Sequence, residues 1–256
     1  MKLVQFDKPV MSSWFELNGC RLDSKPYLSG SIEAKAQLAR LAVPKESLYK
    51  LTQGIFNGPR FARVYVDDPE YGVPFLGSTD ILNADLSNTP YISKKIVEHY
   101  PDLMLGQAWT LITCSGTIGR MTFSRADMEG MAGSQHFMCV VPDPDKILPS
   151  YLYAYLSSRF GVSQVVGGTY GSIIQHIEPH HIVDLPVPIA PNYVQEAVHK
   201  LIQEMALLRA ESAKAYQQAT TDLFKNMDIV DPPRHKWLSD ERRRAFFVTT
   251  DLGGRK

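Results

Sequence analysis

The chain has 256 residues and a mass of 28.7 kDa, with 44% hydrophobic and 21% charged residues, which is typical of a packed, soluble protein. Its 27 Lys and Arg residues balance 27 Asp and Glu residues, which excludes a polybasic coat for nucleic acid and an acidic solvating tail. No apolar stretch is long enough for a membrane span or a secretory signal. Three widely spaced cysteines without CxxC spacing predict reduced thiols in a cytoplasmic protein, with neither disulfides nor zinc.

In residues 1–190, short apolar runs alternate with turn signals. β-Branched and aromatic runs bounded by Gly, Pro or Asp are typical of strands. The predicted strands are Arg63–Val66, Gly72–Leu76, Trp109–Thr113 and Phe137–Val141. The predicted helices are Ser31–Ala42, Ile92–His99 and Pro149–Phe160. The mixture predicts an α+β domain with a mixed, partly open sheet.

After Pro191 the pattern becomes that of one long helix that continues to about Asn226. Asn192 fits an N-cap and Gln195 the third position of a capping box. Apolar or small residues then recur at alternating spacings of four and three, as in a coiled coil. They are Val194, Val198, Leu201, Met205, Leu208, Ser212, Ala215 and Ala219.

No second heptad segment of this length exists in the chain. We therefore expect the helix to pair with a helix of another molecule, or with one in a part of the protein that this chain lacks. The predicted pairing interface comprises Val194, Val198, Leu201, Met205 and Leu208. The alternative is a single long helix that lies along its own domain.

Motifs that would indicate catalysis or metal binding are weak. The sequence has no GxxxxGK[ST] loop and no GxGxxG after a strand. Asp231-Pro232-Pro233-Arg234 departs at its fourth position from the [ND]PP[aromatic] motif of amino-group methyltransferases. His176, His180 and His181 surround Glu178, but no spaced carboxylate or Cys completes a ligand set. We therefore predict no catalytic residue and no metal site.

Long stretches without acidic residues favour binding of DNA. They cover 47–66, 103–126, 130–142 and 146–177, and the last is 32 residues long. Arg forks pair with guanine and side-chain amides with adenine, whereas acids repel the phosphate backbone. Arg60, Arg63, Lys94, Lys95 and Arg120 are predicted to position phosphates, and Thr117, Gln135, Tyr170, Ser172 and Gln175 to contact base edges. Residues 1–190 hold 16 basic and 18 acidic residues, a net charge of −2, which indicates binding by fit rather than by bulk charge.

The order of several short motifs resembles the specificity subunits of type I restriction–modification systems, namely one target recognition domain and its spacer helix. In chain order the matching segments are Arg21-Leu22-Asp23 with Tyr27, Phe75–Ile81, Leu111–Arg120, Gly133–Pro142, Pro149–Ser158, Gly171–Ile177 and Ile182–Pro188. Together they span about residues 12–226. Each is short and apolar, so the resemblance depends on their order and spacing.

The resemblance implies sequence-specific recognition of one half of a bipartite DNA site by residues 1–190, without catalysis in this chain. Residues 191–227 would be the spacer helix, and 228–256 a linker and the start of a second recognition domain. The family's full subunit has two domains and two antiparallel helices. This chain has one of each, so it is either an N-terminal part or a half-subunit that pairs with itself.

The implied partners are double-stranded DNA, methyltransferase subunits, the restriction subunit through the complex, and a second spacer helix, in a bacterial or archaeal cytoplasm. S-adenosylmethionine, Mg and ATP are expected only in the partner subunits. Two alternatives stay open. One is a protein-interaction adaptor that docks partners through the long helix, and the other is a methyltransferase fragment.

Overall fold

A computed structural model of the chain describes residues 10–17, 20–171 and 175–227. The helices are α1 (Ser12–Leu17), α2 (Lys25–Leu28), α3 (Ser31–Arg40), α4 (Lys94–His99), α5 (Pro149–Ser157), α6 (Arg159–Gly167) and α7 (Asn192–Asn226). The strands are β1 (Lys45–Ser47), β2 (Thr52–Asn57), β3 (Tyr65–Val66), β4 (Gly72–Leu76), β5 (Tyr91–Ser93), β6 (Thr110–Thr113), β7 (Met121–Phe123), β8 (Ala132–Gly133), β9 (Phe137–Pro142) and β10 (Pro186–Pro188). No helix in these ranges combines the length and the apolar character needed to cross a bilayer.

The centre of the domain is an antiparallel sheet with the order β2-β9-β6-β7. Side chains of β9 alternate between the two faces, as the pleat of a strand requires. Met138 and Val140 pack against α5 and α6 on one face. Phe137 and Cys139 enter a second apolar cluster on the other face, which also contains Leu76 of β4. The central strand is therefore buried on both sides, which explains its continuous apolar sequence.

A second sheet, with the order β3-β5-β4-β8, is mixed. Strand β5 is antiparallel to β3 and β4, whereas β8 is parallel to β4. Leu76 of this sheet shares an apolar cluster with Leu111 and Phe137 of the central sheet, so that cluster joins the two. Strands β1 and β10 form a separate antiparallel pair. The predicted α+β class with a mixed sheet is confirmed.

The predicted helix Pro149–Phe160 is wrong at its end, because two helices occupy this region. Ser158 adopts an extended conformation, with φ −68° and ψ 164°, and ends α5. Its hydroxyl oxygen then accepts a hydrogen bond from the amide of Gly161 and so caps α6. The backbone of Leu156 approaches Gly161 so closely that a Cβ atom there would clash. A serine cap followed by glycine is thus the local signal of the break.

Other predicted boundaries need smaller corrections. Ile92 and Ser93 belong to strand β5 and not to the predicted helix Ile92–His99, which begins at Lys94. Ile92 is fully buried and pairs with residues of both β3 and β4, and this pairing overrides the helical pattern. The predicted strand Arg63–Val66 contains only Tyr65–Val66, and the predicted helix Ser31–Ala42 ends at Arg40. Leu41 is extended, with φ −69° and ψ 134°.

The start of α7 differs from the predicted capping box. Pro191 is the N-cap residue, and Asn192 is the first helical residue. The side-chain nitrogen Nε2 of Gln195 donates to the carbonyl of Ala190 at 2.9 Å, and the side-chain oxygen Oε1 accepts from the backbone amide of Leu148 at 3.4 Å. Gln195 therefore joins the helix to the segment before it and to the start of α5, instead of closing a box with Asn192.

Helix α7 packs along its own domain, so the expectation that it needs a separate helix to cover it is wrong for one of its faces. Gln195, Ala206 and Ala213 are buried on this face. Gln203 donates to Ser150 Oγ of α5 at 3.2 Å. Further along, Arg209 donates to the carbonyl of Leu82 at 2.8 Å, and Gln217 to Asp85 Oδ1 at 2.7 Å. We call residues 82–86 the docking loop.

The predicted pairing stripe lies beside the docked face of α7. Val198 packs against the main apolar cluster of the domain, so the domain itself covers this part of the stripe. Leu201 and Leu208 remain 65% and 56% exposed. With Met205 and Ser212 they line an apolar groove of about 410 Å³ that Ala84 of the docking loop closes on one side. The division between residues 1–190 and 191–227 stays a prediction, and 228–256 lie outside the described residues.

Candidate nucleic-acid interface

Four loops that are distant in sequence contact one another and form one surface. They are residues 58–66 after β2, 114–120 between β6 and β7, 134–136 between β8 and β9, and 168–178 after α6. We call this surface the four-loop face. Glu178 is its single acidic residue.

Backbone and side-chain hydrogen bonds hold the loops of this face together. Asn57, at the end of β2, donates to the carbonyl of Gln135 and to Cys114 Sγ, at 3.4 and 3.0 Å. The hydroxyl of Ser115 and Nδ1 of His136 share a hydrogen bond of 3.0 Å. Ser115 also forms an antiparallel bridge with His176. The 114–120 loop is therefore joined to the other two loops that follow it.

The loop between β6 and β7 is a tight turn fixed by Thr113. The Thr113 hydroxyl donates to the carbonyl of Thr117 at 2.6 Å and accepts from the amide of Arg120 at 3.0 Å. Gly116 and Gly119 have φ angles of +73° and +84°, a region that favours glycine. The turn leaves the side chains of Thr117 and Arg120 exposed to solvent.

Aromatic packing anchors the basic segment 58–66. The ring of Phe61 stacks on Tyr100, with the centroids 5.8 Å apart. The guanidinium carbon of Arg63 lies 5.2 Å from the centroid of the Phe75 ring, within the range of a cation–π contact. These contacts hold the backbone while Arg60 and Arg63 stay exposed.

Lys94 and Lys95 extend this basic segment. The amide of Ser93 donates to the carbonyl of Val64 at 2.9 Å, which places the first turn of α4 beside residues 63–65. Both lysines are exposed. Arg60, Arg63, Lys94 and Lys95 therefore form one cationic strip at the margin of the four-loop face.

Within the loop 168–178, the described residues 170 and 176 pair with each other. Tyr170 and His176 exchange two backbone hydrogen bonds, each of 2.9 Å. The hydroxyl of Tyr170 donates to Glu178 Oε1 at 2.6 Å. This bond raises the pKa of Tyr170 and lowers that of Glu178. The acid of the face is therefore engaged by a neighbouring hydroxyl, and the positive charge of Arg60 also favours its ionised form.

Histidine chemistry at this face follows from burial and nearby positive charge. Burial lowers the pKa of His136, and the neighbouring Arg63, His176 and Arg60 lower it further. The lowered pKa favours the neutral imidazole of His136, which can act as both a donor and an acceptor. Arg60 also lies within electrostatic reach of Tyr170 and Glu178, which ties the basic strip to the loop 168–178.

The predicted DNA-contacting residues fall into three groups. Six of them are exposed on the face or its margin: Arg60, Arg63, Lys94, Lys95, Thr117 and Arg120. Tyr170 is 39% exposed, Gln175 is half-buried, and Gln135 is half-buried with its side-chain oxygen enclosed and without a hydrogen-bond partner. Ser172 lies outside the described residues. Their assignment to phosphates or to bases stays a prediction.

Ser115 and His136 of the face were not among the predicted contact residues. Ser115 and His136 bond to each other between two loops. Their sequence signal is the polar pair at each loop, Ser115-Gly116 and Gln135-His136, directly next to a buried strand.

The histidines near Glu178 serve local structure. His181 Nδ1 accepts from the amide of Glu178 at 3.1 Å, and His180 Nδ1 lies 3.5 Å from Glu178 Oε2. Across the described parts of the chain, no group of three or more His, Cys, Asp or Glu side chains is arranged to hold a metal ion.

Comparisons with known proteins give structural similarity without sequence matches. No protein-family model and no curated protein matches the sequence. Among solved structures, the chain is similar to the S subunit of a type I restriction–modification system from M. genitalium, with 12% identity, a TM-score of 0.45, and coverage of 66% of this chain and 39% of that one. It is also similar to the HsdS subunit from Thermoanaerobacter tengcongensis, with 13% identity, a TM-score of 0.46, and coverage of 85% and 52%.

A third similar structure describes complex assembly and conformational transition of the type I R-M system. It has 13% identity, a TM-score of 0.47, and coverage of 83% of this chain and 52% of that one. The chain thus spans about half, or less, of the length of the structures it matches.

Proposed function

We propose that this chain recognises one half of a bipartite DNA site, as the specificity component of a type I restriction–modification complex, and performs no catalysis itself. The observation that carries the proposal is the four-loop face. Loops distant in sequence meet there, exposed cations lie at the margin, and neutral donors and acceptors lie inside. The order of the sequence motifs supports the same function.

The chemistry of the face suits duplex DNA. Phosphate contacts set the register of a protein on DNA, whereas base edges supply the sequence information. The strip of Arg60, Arg63, Lys94 and Lys95 presents four exposed cations. Thr117, Tyr170 and Gln175 offer hydroxyl and amide groups of the kind that read base edges.

The exposed stripe of α7 supports assembly as a second part of the proposal. Leu201 and Leu208 would pack against a second spacer helix, contributed by a second copy or by the other half of a longer subunit. Methyltransferase subunits, with S-adenosylmethionine, and a restriction subunit, with ATP and Mg, would then supply the chemistry. This chain would contribute the DNA sequence specificity.

The test begins with methylome sequencing of cells that express the full complex, which returns the target half-site. A duplex with that site is then titrated with the chain at several salt concentrations. Arg60→Ala should weaken binding and reduce the slope of log affinity against log salt by about one phosphate contact. Arg40→Ala, an exposed arginine of α3 outside the four loops, is the matched control and should leave the slope unchanged.

The same titration separates the alternatives. Equal affinity for duplexes with and without the half-site, in the full complex, would reject specific recognition. Unchanged affinity and slope in Arg60→Ala would reject the role of that residue.

A further inference from the structure

The N-terminal motif Arg21-Leu22-Asp23 with Tyr27 lies against the loop 168–178. The Arg21 guanidinium donates to the carbonyl of Gly167 at 3.3 Å and to that of Thr169 at 2.5 Å. The same group donates twice to the carboxylate of Asp23, at 2.8 and 2.7 Å. One side chain thus connects the start of the chain to the end of α6.

The position of Arg21 has a clear physical cause. The last carbonyls of a helix lack partners within the helix, and a cation near them is favoured by the helix dipole. Gly167 is the last residue of α6, and Thr169 lies two residues beyond it, directly after the C-cap Gly168. Asp23 fixes the planar guanidinium through a two-pronged contact, which orients the remaining N–H groups toward those carbonyls.

The motif itself is held from the other side. The hydroxyl of Tyr27 donates to the backbone carbonyl of Arg21 at 2.5 Å. Tyr27 is only 8% exposed, and its ring lies 5.1 Å from that of Phe15. Gly167 in turn packs against Ser29 and Ser31, with no room for a Cβ atom. Arg21 is therefore part of a packed corner and not a free surface side chain.

This corner fixes where the loop 168–178 begins. Thr169 is 1% exposed, and its carbonyl is bound by Arg21. The next residue, Tyr170, exchanges backbone hydrogen bonds with His176 and donates to Glu178. Arg21 thus fixes the backbone position from which Tyr170 leaves the domain.

We infer that Arg21 is a positioning residue for sequence discrimination, acting through the carbonyls of Gly167 and Thr169 on the part of the four-loop face that contains Tyr170 and His176. The inference rests on the proposed function for its consequence at DNA. Arg21 differs from the residues of the cationic strip, because Asp23 neutralises its charge and the two carbonyls occupy its other donors.

The first test measures the loop without DNA. Amide hydrogen exchange of Tyr170 and His176 is compared between the wild-type chain, Arg21→Ala and Arg21→Lys. We expect at least about tenfold faster exchange in Arg21→Ala, and an intermediate rate in Arg21→Lys, which keeps the charge but loses the fork. Arg40→Ala is the control. Unchanged exchange in both Arg21 variants overturns the positioning role, whether or not the chain binds DNA.

The second test uses the full complex and the methylome-derived duplex beside single-base-pair variants of it. Arg21→Ala should reduce the ratio of target to non-target affinity by about tenfold, the effect of one lost base contact, while the salt slope stays the same. Arg21→Lys should recover part of that ratio. A slope reduced by about one with the ratio unchanged would make Arg21 a phosphate contact and overturn the inference. A wild-type complex that discriminates no duplex would instead reject the proposed function.

Discussion

The two faces of α7 predict opposite effects for substitutions a few residues apart. Leu201 and Leu208 are 65% and 56% exposed, and the domain gains little from them. Full burial of a leucine side chain contributes about 1.5–3 kcal/mol, so covering the exposed part contributes about 1–2 kcal/mol per side chain. A symmetric helix pair would bury four of them, for a total of about 4–8 kcal/mol.

The double variant Leu201→Asp, Leu208→Asp removes this contribution and adds carboxylates that repel each other. Its dissociation constant should rise by at least about a thousandfold. Sedimentation velocity over a concentration series measures this, with the chain alone and after mixing with methyltransferase subunits. At concentrations where the wild type is also monomeric, the thermal midpoint of the double variant should stay close to that of the wild type.

Ala213→Asp is the matched control on the docked face. Ala213 is 7% exposed, and a carboxylate there would be forced against the domain, at a cost of about 2 kcal/mol or more. This variant should lower the thermal midpoint. Association that persists in the double variant, or a double variant destabilised as much as Ala213→Asp, would refute the assignment of the two faces.

Two further predictions concern the four-loop face. Gly119→Ala should lower the free energy of unfolding by about 1–3 kcal/mol, because φ is +84° and the new Cβ would lie 2.9 Å from Val166. Gly116→Ala, with φ +73° and no atom within 4 Å, should lower it less. Urea titrations of both variants measure this, and equal losses would contradict the clash at Gly119. Burial and neighbouring positive charge lower the pKa of His136, so the unfolded chain takes up this proton at a higher pH than the folded chain does. The contribution of neutral His136 to the free energy of unfolding should therefore be complete above about pH 6.5 and decrease as the pH drops below it. His136→Asn should flatten this pH dependence. A wild-type chain that is more stable at low pH would contradict the predicted sign.

The sequence predicted elements well where a single period continues over many residues. Helix α7 ends at Asn226, as the heptad pattern indicated, and Gly72–Leu76 forms the expected strand. Short apolar runs were ambiguous. Ile92 fits either a helix or a strand by spacing alone, and the pairing that decides between them involves β3 and β4, which are elsewhere in the chain.

The docking of α7 could not be predicted from hydrophobic periodicity. The helix is held by Gln203, Arg209 and Gln217, which bond to Ser150, to the docking loop carbonyl of Leu82 and to Asp85. Polar side chains and alanines do not stand out in an apolar pattern. The pattern detected only the neighbouring apolar stripe, and the docked face of α7 was not predicted.

The composition of the four-loop face could be predicted, but its assembly could not. The acid-free stretches contain almost all of its residues, because the absence of Asp and Glu is a property of the sequence itself. The bonds that bring the loops together, such as those from Asn57 to Gln135 and between Ser115 and His136, join residues that no local spacing relates. Arg21 was recognised only as part of a motif, since its partners are backbone carbonyls, which carry no signal in the sequence.

Under the proposed function, the docking loop gains a geometric role. Arg125 is 4% exposed and donates to the carbonyls of Asn83 and Ala84 while it pairs with Asp127. The same loop accepts hydrogen bonds from α7 at Leu82 and Asp85. The orientation of the helix relative to the domain is thus set by directional polar bonds, whereas apolar packing alone would permit sliding. A reader of bipartite sites needs such a fixed orientation, because the angle between helix and domain determines where each face meets the duplex, and hence the spacing between half-sites.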